Sequence, residues 1–534
     1  MTEAIANPIW NILSGILTLN PDAFNALRAT PNLDIDTYSI LIVLLAGLSQ
    51  SVAQAIILFV NRVKPVRFVI SLLLGAVLFG FGYLFWGLSI WLAGLIFLSP
   101  PIPLRTVADV LAFSYLPLVF SFFGAMPYLG VPLLRLLAVW NLLAMVVGFS
   151  VLANLPARVA FLHVLLGWIV LIVVQQTVGQ PIANLGQWLF NKAAGVKLVR
   201  DKEAVKELIY GAFPALDKPP QANAFAQMAP VGVDGNSPLQ AHWEQDLEET
   251  RSHLSHGARW ESSGEQSAAL RQQAAQRRKR HFIQRGLQLV GLGGFTFLVA
   301  IALDPLRGAL TGWYTQADPL LGLLFDLLWI SLVALAIGGL LAPIEALGWW
   351  AGWYGDDVQT VEAAADDPLP EAAANCHRYA VYLDGIGQTS TEYQPAVDHF
   401  LTELDKILPD DIRLIQGLMS YSVLNRALTE DRPLAFFWRL ADKIKDSELG
   451  GWLPALFINL RNVLAVTVSA DLRYGPIFNR GIAQQIYTNL MSEGYPPQGG
   501  VPLTLIGYSG GGQIAMGALP FLKRALRAPI EVIS

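Results

Sequence analysis

One cysteine, Cys376, stands in a chain of 534 residues. A single thiol closes no intrachain disulfide and builds no cysteine-rich metal site. Charge is scarce as well. Asp, Glu, Lys and Arg make up 14% of the chain, where a soluble globular domain carries about 25%. The net charge of −5 offers no basic surplus for nucleic acid. Residues 1–37 lack the basic start and apolar core of a signal peptide and carry Glu3, Asp22, Asp34 and Asp36. They read as a short amphipathic region ahead of a first span. The last histidine of the chain is His399, which bears on the chemistry below.

What is abundant is apolar sequence: 54% of the residues are hydrophobic. They concentrate in two blocks, about 39–190 and 287–342. The run 39–60 is long enough to cross a bilayer and is followed by Arg62, Lys64 and Arg67. The run 68–98 has no charge and is too long for one upright helix; it is tilted, or broken near Gly80 and Gly82. The segments 107–123, 133–153 and 160–178 give three more spans. Two further spans are expected at 286–303 and 320–341. Trp313, Tyr314, Trp349, Trp350, Trp353 and Tyr354 flank them, as interfacial aromatics do.

Between the blocks, 191–285 is a polar linker with helices and disorder. It opens on Lys192, Lys197, Arg200, Lys202 and Lys206 and closes on the run Arg277, Arg278, Lys279, Arg280. Cytoplasmic loops carry the excess of Lys and Arg. This rule puts the 61–67 loop, the linker and, after two more spans, the C-terminal region in the cytoplasm. The basic run near 278 also suits anionic lipid headgroups.

From about residue 375 the pattern changes. Strands are expected at 379–383, 412–417, 463–469, 502–506 and 530–533, with helices at 394–407, 432–445, 451–462, 482–491 and from about 509. Strands alternating with helices indicate a parallel sheet covered on both faces. The fold class is thus a polytopic all-α transmembrane region of about seven helices followed by a doubly wound parallel-sheet domain. Its units are 1–190, 191–285, 286–345 and 375–534.

The chemistry concentrates at 502–517. An apolar strand enters Gly507, Tyr508, Ser509, Gly510 and Gly511, and a small-residue helix leaves. A Gly-x-Ser-x-Gly turn between strand and helix holds a serine hydroxyl up on a sharp bend, and its glycines avoid clashes with strand and helix. The other reading of such a turn is an unreactive or anion-binding helix start. Earlier, Asp384, Gly385, Ile386 and Gly387 follow the first strand of the domain. A small glycine loop there can turn backbone N–H groups toward a developing oxyanion.

With these two motifs, residues 375–534 resemble the front half of an α/β-hydrolase domain. The resemblance implies Ser509 as nucleophile and the Ile386 and Gly510 amides as the oxyanion hole. It implies an acyl-ester substrate and no cofactor. Asp384 stands where the family often has His; it is a hydrogen-bonded turn residue or a carboxylate beside the pocket. The family order is nucleophile, acid, His, yet no histidine follows Ser509 and Glu531 is the only acid after it. Three explanations stand side by side: the sequence ends within the domain, His377 or His399 serves from another position, or the domain is inactive.

The five closely spaced spans of about 8–190, with Leu116, Pro117 and the turn from Ala125 to Gly130, resemble the Yip family of multi-span trafficking proteins. That resemblance implies membrane organisation and transfers no catalytic residue. Within the spans, Asn141, His163, Gln175 and Gln176 read as helix-to-helix hydrogen bonding rather than a transport path, and Asp326 as facing an interface. Asp356, Asp357, Asp366 and Asp367 lack the spacing of a metal site. His242, His253 and His256, with Glu249, sit in the linker without a compact ligand set. No metal is expected. Membrane lipids are the expected partners, and no residue pattern names a protein partner. The function implied is a membrane-anchored serine hydrolase, with a non-catalytic membrane organiser on a hydrolase-like scaffold as the alternative.

Overall fold

The computed structural model describes residues 8–29, 34–98, 101–177, 179–210, 319–354, 376–425, 428, 452–496 and 499–534. All of them fall in one compact unit. The span expected at 286–303, the helix at 432–445, the basic run at 277–280, the linker histidines and the acidic pairs at 356–357 and 366–367 lie outside the described residues.

Two short amphipathic helices, α1 (Pro8–Leu17) and α2 (Pro21–Ala29), bury Ile12, Ile16, Phe24 and Leu27 in the helical core. The first span is α3 (Ile35–Ala53), capped by Asp34, whose carboxylate accepts from the Thr37 backbone N–H at 3.2 Å. It breaks at Gln54 and resumes as α4 (Ile56–Val60). The long apolar run that follows is one unbroken helix, α5 (Pro65–Phe97), 33 residues in length. At 1.5 Å per residue it extends about 50 Å, well beyond a hydrocarbon core of about 30 Å. Gly80 and Gly82 do not break it.

The third span starts as α6 (Leu104–Ser114) and tightens into a 3-10 helix (Leu116–Ala125). Pro117 lies at the change; it has no N–H to continue the α pattern. Then come α7 (Gly130–Leu152), α8 (Ala157–Thr177), α9 (Gly179–Ala194) and α10 (Lys202–Tyr210). After the gap, α11 (Pro319–Leu341) and α12 (Ile344–Trp350) follow.

Among the described residues six helices are long and apolar enough to cross a membrane, and a bent pair at 455–492 makes up to seven. By length and composition this is a multi-pass membrane protein. Asn141 and His163 are buried in the bundle, but Asn141 Oδ1 and both His163 ring nitrogens find no hydrogen-bond partner among the described residues. The interhelical bonding expected of them is absent there.

The C-terminal part holds a four-stranded sheet built from β1 (Arg378–Leu383), β2 (Ile412–Ile415), β3 (Leu503–Gly507) and β4 (Ile530–Ile533). Its order is β2-β1-β3-β4, all parallel. Its helices are α13 (Pro395–Ile407), α14 (Trp452–Ala470), α15 (Gly475–Ser492) and α16 (Gly510–Ala525). Tyr379, Val381 and Leu383 on one face join a core with Ile486, Ile514 and Phe521. Tyr382, on the other face, meets Phe400 of α13 at 6.3 Å between ring centres.

The strand expected at 463–469 is instead part of α14. Val463, Val466, Thr467 and Val468 favour strands, but burial decides here. Ile458, Asn462, Ala465, Val468 and Ser469 are the inward residues, and that spacing is helical, not alternating.

Sheet and bundle meet at three places. Trp350 Nε1–H donates to Val60 O at 3.0 Å and Trp353 Nε1–H to Val63 O at 2.9 Å. The Trp350 ring lies between Arg62 at 4.5 Å and Arg480 at 5.0 Å. Trp349 and Trp350 are therefore buried in a joint, not spread on the interface as expected of them. Ile209 of α10 joins the same core.

The third contact is a corner. Arg473 donates through Nη1 to Gly124 O and through Nη2 to Met126 O, both at 2.7 Å. It also pairs with the buried Asp471 at 3.3 Å. Asp471 accepts the Tyr128 N–H at 2.7 Å, and Tyr474 Oη–H donates to Ala125 O at 2.7 Å. Arg473→Ala leaves two carbonyls without their donor and a buried carboxylate without its counter-charge, held only by backbone N–H groups. It should lower stability by about 2–4 kcal/mol, read as thermal unfolding in detergent micelles. Arg473→Lys keeps the charge without the planar fork and should recover only part of the loss.

Candidate functional site

Parallel strands carry their sites at their carboxyl ends, where the strand order reverses. In the order β2-β1-β3-β4 that reversal lies between β1 and β3. The loop at the end of β1 is Asp384, Gly385, Ile386, Gly387. The turn at the end of β3 is Tyr508, Ser509. Topology thus brings the two motifs read from the sequence to one place.

Ser509 has φ 53° and ψ −120°. A non-glycine residue is rarely found there, and such strain persists only where the surrounding structure imposes it. The surroundings are tight. Tyr508 N–H donates to Leu383 O at 2.9 Å, tying the turn to the end of β1. A Cβ on Gly511 would lie 2.3 Å from Leu383 O, and one on Gly507 would lie 2.5 Å from Gly512 Cα. The first turn of α16 crosses the ends of β1 and β3 too closely for any side chain at these two positions. Tyr508 and Ser509 themselves are exposed.

A Cβ on Gly385 would sit 3.7 Å from Ser509 Cβ, so the β1 loop lies directly beside the serine. A Cβ on Gly510 would lie 2.8 Å from Tyr421 Oη, 2.9 Å from Ile386 Cγ2 and 3.1 Å from Val466 Cγ2. The Gly511 and Gly512 amides donate to Tyr508 O and Ser509 O. The Gly510 amide is the first of the helix, where N–H groups have no intrahelical acceptor.

The loop is held by residues that the sequence did not single out. Asn462 Nδ2–H donates to Ile386 O at 2.6 Å and to Gln388 O at 2.8 Å. Gln388 donates to Leu418 O and accepts from Ser420 N–H. Tyr421 Oη–H donates to Asp384 O at 2.9 Å. Asn462 and Tyr421 come from chain about 80 and 40 residues further on (462 against 386, 421 against 384). No local pattern could pair them with the loop.

Asp384 is a buried turn residue. Its Oδ1 accepts the Gly385 N–H at 2.7 Å and the Tyr382 Oη–H at 3.2 Å. Burial pushes its carboxyl above the ordinary 3.8, against those two hydrogen bonds, which favour the charged form. The same burial, with Asp384 nearby, raises the Tyr382 and Tyr421 phenols.

The folded chain thus gives up the Asp384 proton at a higher pH than the unfolded chain does. This contribution to stability is fully present below the unfolded value and is lost as pH rises through the folded one. Asp384→Asn removes it. As pH rises above the ordinary carboxylate range, the unfolding temperature should fall less steeply in the variant than in the parent.

Other residues considered for the chemistry lie elsewhere. His377 precedes β1 and pairs with Asp411 at 3.7 Å. At about 3.3 Å per residue it lies roughly 20 Å from the serine end of the strand, so it does not serve Ser509. His399 is exposed on α13. Among the described residues no histidine is hydrogen-bonded to Ser509. Glu531 stands opposite Thr504, five residues down β3 from Ser509, and pairs with Arg378 at 3.1 Å. Among the described residues no cluster of three or more His, Cys, Asp or Glu could hold a metal ion.

In comparison with known proteins, no family model matches the chain, and neither a curated protein nor a solved structure is significantly similar to it.

Proposed function

We propose that this multi-pass membrane protein carries a serine-hydrolase centre, with Ser509 as the nucleophile toward a carboxylic ester or thioester. The observation that carries the reading is the strained Ser509 backbone, φ 53° and ψ −120°, on an exposed turn between β3 and α16. Such strain collects at functional sites. Ser509 Oγ adds to the acyl carbon, and the oxyanion is met by the Ile386 and Gly510 amides. The alcohol or thiol leaves, and water releases the acyl group.

The α/β-hydrolase resemblance is supported by the strand that carries the serine lying next to the strand that carries the Gly385 loop. The Yip resemblance of 8–190 rests on the number and spacing of the spans. A cytoplasmic C-terminal domain is supported by Arg480 of α15, which lies over the Trp350 ring that Arg62 of the basic loop also faces, and by the core the domain shares with Ile209.

A fluorophosphonate probe applied to the full-length protein in membranes should label the parent and not Ser509→Ala. Equal labelling of the two ends the proposal.

The second reading, a membrane organiser whose sheet is only a scaffold, draws on the histidines: none is bonded to Ser509 among the described residues. A hydroxyl without a base is a poor nucleophile. That reading expects no labelling at all and partner co-purification that survives Ser509→Ala.

A further inference from the structure

The helix that backs the candidate site has a second face that is largely exposed among the described residues. On its inner side α14 holds the β1 loop through Asn462 and closes on Gly510 through Val466. On its outer side Leu456 is 52%, Phe457 49% and Val463 41% exposed. Residues seven apart share a helix face. At the corner between α14 and α15, Leu472 is 96% exposed.

These residues do not stand in isolation. Leu464 packs on α11, where a Cβ at Gly338 would lie 3.0 Å from Leu464 Cδ1. Arg461 pairs with Glu345 of α12 at 3.3 Å. The corner is bonded to the 124–128 turn between two spanning segments, and Tyr128 Oη–H donates to Ala470 O at 2.9 Å. Tyr128 and Leu129 are themselves 56% exposed. The exposed face of α14 therefore continues a belt of apolar and aromatic residues at the ends of α11 and the 3-10 helix. Helix α11 ends there at Leu341 and a candidate span at Ala125, and tyrosine is enriched where a span meets the bilayer boundary. The 107° bend between α14 and α15 keeps the pair from running as one straight span.

We propose that α14 and its corner rest in the boundary zone of the membrane leaflet on the side of the 61–67 loop, with phospholipid as the occupant of this face. A second clause, which rests on the hydrolase reading, follows. Ser509 draws its substrate sideways from that leaflet, and the substrate is a glycerolipid acyl ester. Ser509 Oγ bonds to the ester carbon, the bond to the glycerol oxygen breaks, and that oxygen leaves with the serine proton. Water then cleaves the acyl-serine, giving a free fatty acid and restoring the hydroxyl.

The test uses the full chain in phospholipid nanodiscs. Cys376→Ser gives a cysteine-free background. Phe457→Cys, Leu472→Cys and, as control, Asp405→Cys on the exposed side of α13 each receive an environment-sensitive fluorophore. Nitroxide-bearing phospholipid, with the nitroxide shallow in the acyl chain, should quench positions 457 and 472 about threefold more than 405. Quenching no greater than at 405 overturns the proposal. Strongest quenching by a nitroxide deep in the chain also overturns it, since the corner would then cross the leaflet.

For the second clause, Phe457→Glu should lower the ratio of vesicle phospholipid hydrolysis to soluble short-chain ester hydrolysis by about tenfold. An unchanged ratio overturns it. If the parent cleaves neither ester, the second clause falls with the hydrolase reading, and the quenching still decides the first.

Discussion

Gly511→Ala should cost about 3 kcal/mol or more and loosen the whole sheet. The added carbon would lie 2.3 Å from Leu383 O and 2.7 Å from Asp384 O. Both are backbone atoms at the end of β1, one of the two inner strands of the sheet, and neither can rotate away. The helix would have to lift from the strand ends. That movement would break the Tyr508-to-Leu383 hydrogen bond and uncover Ile514, Ala515 and Phe521, all buried on α16. Hydrogen exchange of the β1 and β3 amides in the full-length protein reads the effect directly. Met516→Ala on the exposed side of the same helix, where the parent side chain is 53% exposed, should change stability by less than about 0.5 kcal/mol. Equal exchange in the two variants would show that the close crossing of helix and strand is not what holds this corner together.

Ser509→Gly should separate stability from chemistry. Glycine takes φ 53° without the steric penalty that a side chain meets. The variant should gain about 1–2 kcal/mol, seen as a higher unfolding temperature, and lose covalent labelling completely. Ser509→Ala should lose labelling with no such gain, because alanine keeps the Cβ that makes the conformation costly. A destabilised glycine variant would mean that the serine side chain contributes to the fold more than its backbone detracts from it. The turn would then lack the signature on which the catalytic reading depends.

Much of this protein is legible one segment at a time. Spans are runs of apolar residues, and a bilayer demands their length whatever their neighbours, so 133–153 and 160–178 correspond to α7 and α8. The strands β1, β3 and β4 are short apolar runs bounded by polar or glycine residues and need no distant information to be located. The glycines of the serine turn signal a helix and strand ends that approach too closely for side chains.

The readings that failed did so where packing overrules local preference. The β-branched run from Val463 to Val468 forms a helix because its inward residues recur with helical spacing against the β1 loop. Trp349 and Trp350 look like interfacial aromatics, yet they fill the joint with the 60–63 loop.

The sequence by itself determined that the chain spans a membrane several times and ends in alternating strands and helices with a glycine-bounded serine turn. These are local properties, set by hydropathy, period and backbone freedom. Only the tertiary structure decided that the Asp384 loop and Ser509 share one strand-order reversal, that Asn462 and Tyr421 hold that loop, and that Arg473 docks the sheet onto the bundle. Those contacts join residues tens to hundreds of positions apart, and no short-range pattern encodes which distant donor a buried carbonyl will find.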